Sequence, residues 1–162
     1  LIAVKKTDGK KFIVLASSGG KLVRFDENEI RVMGRTASGV RGIDMNGDYC
    51  IDANIAEESK AVLVVTVNGS GKRTTIDEYR ITHRGSKGVK TLNSTEKTGK
   101  IVAFKVVTDE EDLMIITNNG MIIKVPMSQI STMSRVTQGV RLISLKEDQL
   151  VTSVFNVPKE EE

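Results

Sequence analysis

Few residues in this 162-residue chain could do covalent chemistry, and those few stand apart from one another. His83 is the sole histidine, with no second residue at useful spacing for a nucleophile–base pair or a zinc site. Cys50, the sole cysteine, cannot close an internal disulfide and reads as an inert strand residue of a reducing compartment. The stretch "NGSGKRT" holds a Gly71-Lys72 pair, but a phosphate-binding loop needs Gly five residues earlier and Ser or Thr after the lysine. Thr66 and Arg73 occupy those places. The acidic run Asp109 to Asp112 lacks the ligand alternation of a calcium loop and reads as a solvated turn. Tyr79 aligns with isoleucines in the repeat described below, which points to a core role rather than a nucleophile. No catalytic residue, metal or cofactor is expected within this chain.

What remains is positive charge, and it is periodic. A shift of 100 residues places Gly20, Arg24, Ile30, Met33, Arg35, Gly39, Val40, Arg41 and Ile43 on Gly120, Lys124, Ile130, Met133, Arg135, Gly139, Val140, Arg141 and Ile143 without a gap. A third copy, 49 residues after the first, puts Gly69, Arg73, Tyr79, Arg84, Gly88, Val89, Lys90 and Leu92 in the same places. Windows 20–43, 69–92 and 120–143 together hold 14 Lys or Arg against 5 Asp or Glu, a net of +9. The rest of the chain holds 10 basic and 16 acidic residues, a net of −6, so the overall +3 hides a segregation. Three rows follow: Arg24, Arg73 and Lys124; Arg35, Arg84 and Arg135; Arg41, Lys90 and Arg141. Solvated surface charge has no reason to keep such a period. A periodic basic rim suits a periodic polyanion, with counterion release from nucleic-acid phosphates as the driving force. The scarcity of aromatics, 4%, disfavours single-strand stacking and favours duplex held through its backbone.

The elements that must position these cations read as strands. "FIVLASS", "AVLVVTV" and "LMIITNN" each run into a turn at Gly19-Gly20, Asn68-Gly69 or Asn119-Gly120, a two-residue hairpin signal. A further strand leads each unit, "LIAVKK" from Leu1, "YCIDANI" from Tyr49 and "KIVAFKVV" from Lys100, although "IDANIAEE" reads equally as a short helix. "LVTSVFNV" from Leu150 is left over and is expected to complete a sheet begun elsewhere. Helix is limited to single turns near "DENEI" and "PMSQI". The chain is therefore read as one repeat domain, 1–162, with units 1–48, 49–98 and 99–149 and a closing strand at 150–157, in an all-β propeller-like ring of four-stranded blades. Gly39, Gly85, Gly88 and Gly139 would turn the backbone and bring N–H groups near an anion. With 39% hydrophobic residues the chain can bury a core, and no apolar run approaches the roughly 18 residues of a membrane span. A soluble, cytoplasmic segment of a longer protein is expected.

The stretches "VNGSGKRTTIDEYRITHRGSKGVKTL", "DENEIRVMGRTASGVRGI" and "LMIITNNGMIIKVPMSQI" resemble the C-terminal domain of the bacterial DNA gyrase A subunit across essentially the whole chain. That resemblance implies a β-pinwheel with strands exchanged between blades, here its last three blades. Its role would be duplex wrapping that supports ATP-dependent negative supercoiling, without catalysis by this chain. Partners would be double-stranded DNA, the N-terminal part of the gyrase A subunit and the gyrase B subunit in a heterotetramer, in the nucleoid-associated cytoplasm, with no membrane. ATP and Mg²⁺ would belong to the holoenzyme alone. DNA contacts are expected from Arg24, Arg35, Arg41, Lys72, Arg73, His83, Arg84, Lys87, Lys90, Lys124, Arg135 and Arg141. The family's heptapeptide of Gln, base, Arg, Gly, Gly, base, Gly departs at Thr82, His83 and Ser86 within 82–88, so a full copy is expected upstream. The topoisomerase IV C-terminal domain and a propeller-like protein-interaction platform are the alternatives. Two copies of a half wheel are further expected to be able to self-associate through exposed blade edges. Bending 20 to 30 base pairs by 40° to 90° costs on the order of 1 to 6 kcal/mol, so three blades alone are expected to bend DNA little.

Overall fold

The computed structural model describes residues 1–58 and 60–159, so the range 1–162 also takes in Ser59 and residues 160–162, which lie outside the described residues. Three antiparallel hairpins form the frame: β1 (Phe12–Ser17) with β2 (Lys21–Asp26), β4 (Ala61–Thr66) with β5 (Ser70–Thr75), and β8 (Glu111–Thr117) with β9 (Ile122–Pro126). Their turns are wider than the two-residue form the sequence suggests. Gly20, Gly69 and Gly120 donate N–H to the carbonyls of Ser17, Thr66 and Thr117 at 3.0–3.1 Å, and the left-handed backbone falls on these glycines and not on Asn68 or Asn119. This is the pattern of a three-residue loop closed by a glycine.

Each hairpin is completed by strands from elsewhere in the chain. β3 (Cys50–Ala56), β7 (Ile101–Val107) and β11 (Val151–Pro158) add to β1, β4 and β8. Two short strands, β6 (Val89–Lys90) and β10 (Val140–Arg141), add to the opposite edges on β2 and β5. The sheets run β3-β1-β2-β6, β10-β5-β4-β7 and β11-β8-β9, and among the described residues there is no α-helix. Because β7 touches both β3 and β11, these three strands form a common inner side, and β6 and β10 lie at the far, outer edges.

Two expectations are corrected here. Leu1 to Lys6 is not a strand, since its counterparts β3 and β7 each pair with the hairpin of the preceding unit and Leu1–Lys6 has no preceding hairpin within this chain. The strand at 150–157 does complete a sheet begun elsewhere, that of the β8–β9 hairpin in unit 99–149, as β3 and β7 do for the hairpins before them. The third sheet has three strands, not four. "IDANI" is strand, as β3. Single 3-10 turns occur at Glu27–Glu29, Ile76–Glu78 and Met127–Gln129.

The middle sheet is sandwiched, which explains why β4 reads as a continuous apolar run and not an alternating one. Val62 and Val64 join Val14, Ala16, Leu22, Tyr79 and Phe104 in one core. Leu63 and Val65 point the other way, into a second core with Leu113, Ile115, Met127 and Ile130. A smaller cluster of Val23, Phe25 and Ile43 covers the other face of the first sheet. Tyr79 is 1% exposed, and its hydroxyl lies 2.5 Å from Thr91 Oγ1, so it is a satisfied core residue. Truncating Leu63, fully buried, to Ala is expected to destabilise the fold by about 2–5 kcal/mol in denaturant unfolding. Val32→Ala, at a fully exposed side chain, is expected to stay within about 0.5 kcal/mol.

Candidate nucleic-acid interface

The strands carry the first basic row inward. Arg24, flanked by Val23 and Phe25 on β2, is 6% exposed, and its Nη1 donates to the carbonyls of Ile76 at 3.2 Å and Tyr79 at 3.4 Å. Its guanidinium also stands over the Phe12 ring, 5.2 Å from the centroid. Arg73 repeats the arrangement one unit later: it is 8% exposed, its Nε donates to the Ile130 carbonyl at 2.9 Å, and its Nη1 pairs with Asp109. Lys124 lies 3.2 Å from Asp112. Lys72, beside Arg73 but on the opposite face of β5, is fully buried and donates to the carbonyls of Ser134 at 2.5 Å and Arg135 at 2.6 Å. Loss of water around the ammonium holds Lys72 down to about 8 from the usual 10.5, against the opposing pull of Glu78 and with a smaller push from Arg135.

The expected DNA contacts at Arg24, Lys72 and Arg73 are therefore corrected, because a side chain closed under the next unit's backbone cannot meet a phosphate. These three residues fasten each unit to its successor. Lys124, in contrast, keeps a side chain that is 43% exposed beside Asp112. Asp109 and Glu110 form an exposed turn, as the sequence suggests, with Asp109 71% exposed even while it pairs with Arg73. Asp112 departs from that reading, since it is buried on β8 and lies 3.2 Å from Lys124.

The second and third rows interlock across the seams between units. Glu29 Oε2 accepts the Arg84 N–H at 3.0 Å, while Arg84 donates Nε to the Glu29 carbonyl at 3.1 Å and Nη1 to the Arg41 carbonyl at 3.0 Å. One unit on, Glu78 Oε2 accepts the Arg135 N–H at 2.9 Å, and Arg135 Nη1 donates to the Lys90 carbonyl at 2.8 Å. Each row-two arginine thus caps the row-three residue of the preceding unit, giving a path Arg41, Arg84, Lys90, Arg135. Lys90 and Arg141 stand on the outer edge strands β6 and β10, and both side chains are exposed. Arg35, Arg41 and Lys87 are exposed as well. Among the described residues, none of these five has a carboxylate within ion-pair distance.

Two glycines make the edge pairing possible. Gly88 at φ +70° and Gly139 at φ +80° sit where a Cβ would come within 2.5 Å of the Leu22 carbonyl oxygen and 2.6 Å of the Gly71 one. A bare backbone is needed there to dock β6 and β10. Gly85 lies in the Arg84 loop, donating to the Gly42 carbonyl at 2.6 Å, whereas at Gly39, φ +85°, an added Cβ would meet nothing within 4 Å. His83 is exposed, with Nδ1 3.3 Å from Glu29 Oε1. Cys50 is a half-buried strand residue whose thiol is pushed up mainly by burial. Arg31 and Arg80, one shift of 49 apart, fall outside the three rows, yet both are exposed and unpaired among the described residues. The same shift that reveals the rows pairs these two arginines.

Comparison with known proteins agrees with this architecture. The model of the family described as DNA gyrase C-terminal domain, beta-propeller, matches residues 11–57, 60–108 and 111–158. The DNA gyrase A subunit of Staphylococcus aureus (strain NCTC 8325 / PS 47) is 46% identical over 165 residues, covering all of this chain and 19% of the relative. The crystal structure of the C-terminal domain of DNA topoisomerase IV superposes with TM-score 0.88 at 26% identity, over 94% of this chain and 48% of the other. A DNA gyrase A C-terminal domain gives TM-score 0.84 at 21% identity, over 91% and 50%, a likeness of fold.

The depressed Lys72 fixes a pH dependence. Between pH 8 and 10.5 the unfolded chain binds more protons at this residue than the folded one, so its contribution to stability rises with pH. Tyr79, raised by burial, works in the opposite sense above pH 10. Unfolding free energies of the wild type and Lys72→Met are therefore expected to diverge between pH 8 and 10, the wild type gaining with a slope approaching about 1.4 kcal/mol per pH unit. A difference independent of pH in that window contradicts the assignment.

Proposed function

The chain belongs to the DNA gyrase C-terminal domain, beta-propeller, family, and on that premise we propose that its outer edge binds duplex DNA through the phosphate backbone. One observation carries this reading: Arg41, Arg84, Lys90 and Arg135 interlock across two seams into a single path, with Arg35, Lys87 and Arg141 exposed beside it and unpaired among the described residues. Side chains that keep their water and counterions until DNA arrives are the ones that release ions on binding. Arg24, Lys72 and Arg73 have no such ions to release.

The chain spans about a fifth of the length of the curated relatives it matches, so the larger activity is part of the proposal. This domain would hold and bend a DNA segment for a type IIA topoisomerase in the bacterial cytoplasm, assembled from gyrase A and gyrase B subunits. The nucleotide and Mg²⁺ would be handled outside this chain. Negative supercoiling is favoured by the 46% identity to a gyrase A subunit. The superposition on a topoisomerase IV domain, with the departures at Thr82, His83 and Ser86, supports a second reading in which the edge reads DNA geometry and wraps less. No helix among the described residues is long and apolar enough to cross a membrane.

Self-association also belongs to this proposal. Among the described residues β9 has no partner on its outer side, and Ile122 there is 56% exposed where its counterpart Leu22 is covered by β6. An open strand edge invites another strand. Light scattering is expected to show mass rising with concentration, and a strictly monomeric mass at high concentration rules it out.

If six phosphates are contacted, log K for a short duplex should fall against log salt with a slope of about −0.9 × 6, or roughly −5. Replacing Arg41, Lys90 and Arg141 together by Gln is expected to flatten that slope by about 0.9 per residue, or roughly 2.7. A wild-type slope near zero sinks the nucleic-acid reading and favours an edge that binds protein.

A further inference from the structure

We infer that Arg31 and Arg80 are additional phosphate contacts, and that the duplex track is uneven, dense along the first two units and thin at the third. The inference rests on the DNA-binding reading above and says where along the edge that binding is concentrated. Its starting point is a short element that recurs beside each seam. In the first unit Glu29 is followed two residues later by Arg31, and in the second Glu78 is followed by Arg80. The glutamates hold the backbone N–H of Arg84 and Arg135, the seam arginines of the path, at 3.0 Å and 2.9 Å. Each flanking arginine thus leaves the seam two residues from a carboxylate that is already engaged. Arg31 and Arg80 are exposed, and no described acidic group pairs with either.

In the third unit the equivalent positions are Gln129 and Ser131, so the carboxylate and the arginine are lost together. Lys87 is peculiar to the middle unit, its equivalents being Ser38 in the first and Gln138 in the third. Arg135 and Arg141 are what the third unit keeps for the edge. A salt bridge at every acid would predict the reverse, with Arg31 and Arg80 folded back on their neighbours. Instead the glutamates turn their oxygens to backbone N–H groups of the next unit, which leaves the flanking guanidiniums their charge for a phosphate.

The test is a salt titration of the 162-residue chain against one short duplex, comparing wild type, Arg31→Gln/Arg80→Gln and Ser131→Arg, with circular dichroism confirming the fold of each. Two lost contacts should flatten the slope of log K against log salt by about 1.8, so that the affinity gap to wild type narrows about tenfold between roughly 50 and 200 mM salt. Ser131→Arg should steepen the slope by about 0.9, restoring on the third unit what the first two have. If the double variant folds and keeps the wild-type slope while the Arg41, Lys90 and Arg141 replacement flattens it, the inference fails and the DNA-binding reading stands. A wild-type slope near zero overturns both.

Discussion

Two backbone pairings of two residues each hold the outer edge in place: Val89–Lys90 on β2 and Val140–Arg141 on β5. In both, a glycine with left-handed backbone lies against the carbonyl of the receiving strand at a distance no Cβ would permit. Because the borrowed strand comes from the next unit, every seam is also a covalent crossing. That crossing delivers Lys90 and Arg141 to the outermost strands. It also sets the loop beginning at Arg84, and the corresponding run at Arg135, against the carbonyls of Arg41 and Lys90. Without the pairing there would be three hairpins around two cores but no continuous edge.

The same crossings sort the charge. A cation taken out of water needs hydrogen bonds in its place, and the seams supply them as carbonyls. Arg24 reaches Ile76 and Tyr79, Arg73 reaches Ile130, and Lys72 reaches Ser134 and Arg135, always in the following unit. These cations hold units together. The carboxylates Glu29 and Glu78 do related work at the edge, where each fixes the main chain of a seam arginine and leaves its guanidinium at the surface. A net positive window therefore contains two populations of opposite use, and the separation between them is burial, not sequence position.

The repeat, the three hairpins and the exposed third row are legible in the sequence because they rest on local signals: apolar runs that end in a turn, glycines at fixed offsets and a constant shift. The fate of Arg24 is not. In the sequence it looks like Arg41, and only the docking of the following unit closes over it. A local hint exists in "KLVRFD", where an arginine between Val23 and Phe25 sits on a strand whose both faces are covered. "SGKRTT" is the stronger case, since adjacent cations on a strand point to opposite faces and both can be buried only in a sandwiched sheet. The segment at Leu1 misleads for the converse reason. Its pattern is good, but β3 and β7 each pair with the hairpin that precedes them, and none of the described hairpins precedes Leu1.

The central claim is that buried cations fasten the units while exposed ones meet DNA, and lysine reactivity tests it directly. Amine labelling read by mass spectrometry, with and without saturating duplex at low salt, should leave Lys72 unlabelled in both samples. Lys87 and Lys90 should be labelled in the free chain and protected by duplex, and Lys10, exposed near the inner strand β3, should be labelled equally in both. Free labelling of Lys72, or equal labelling of Lys87 and Lys90 with and without DNA, would contradict the account.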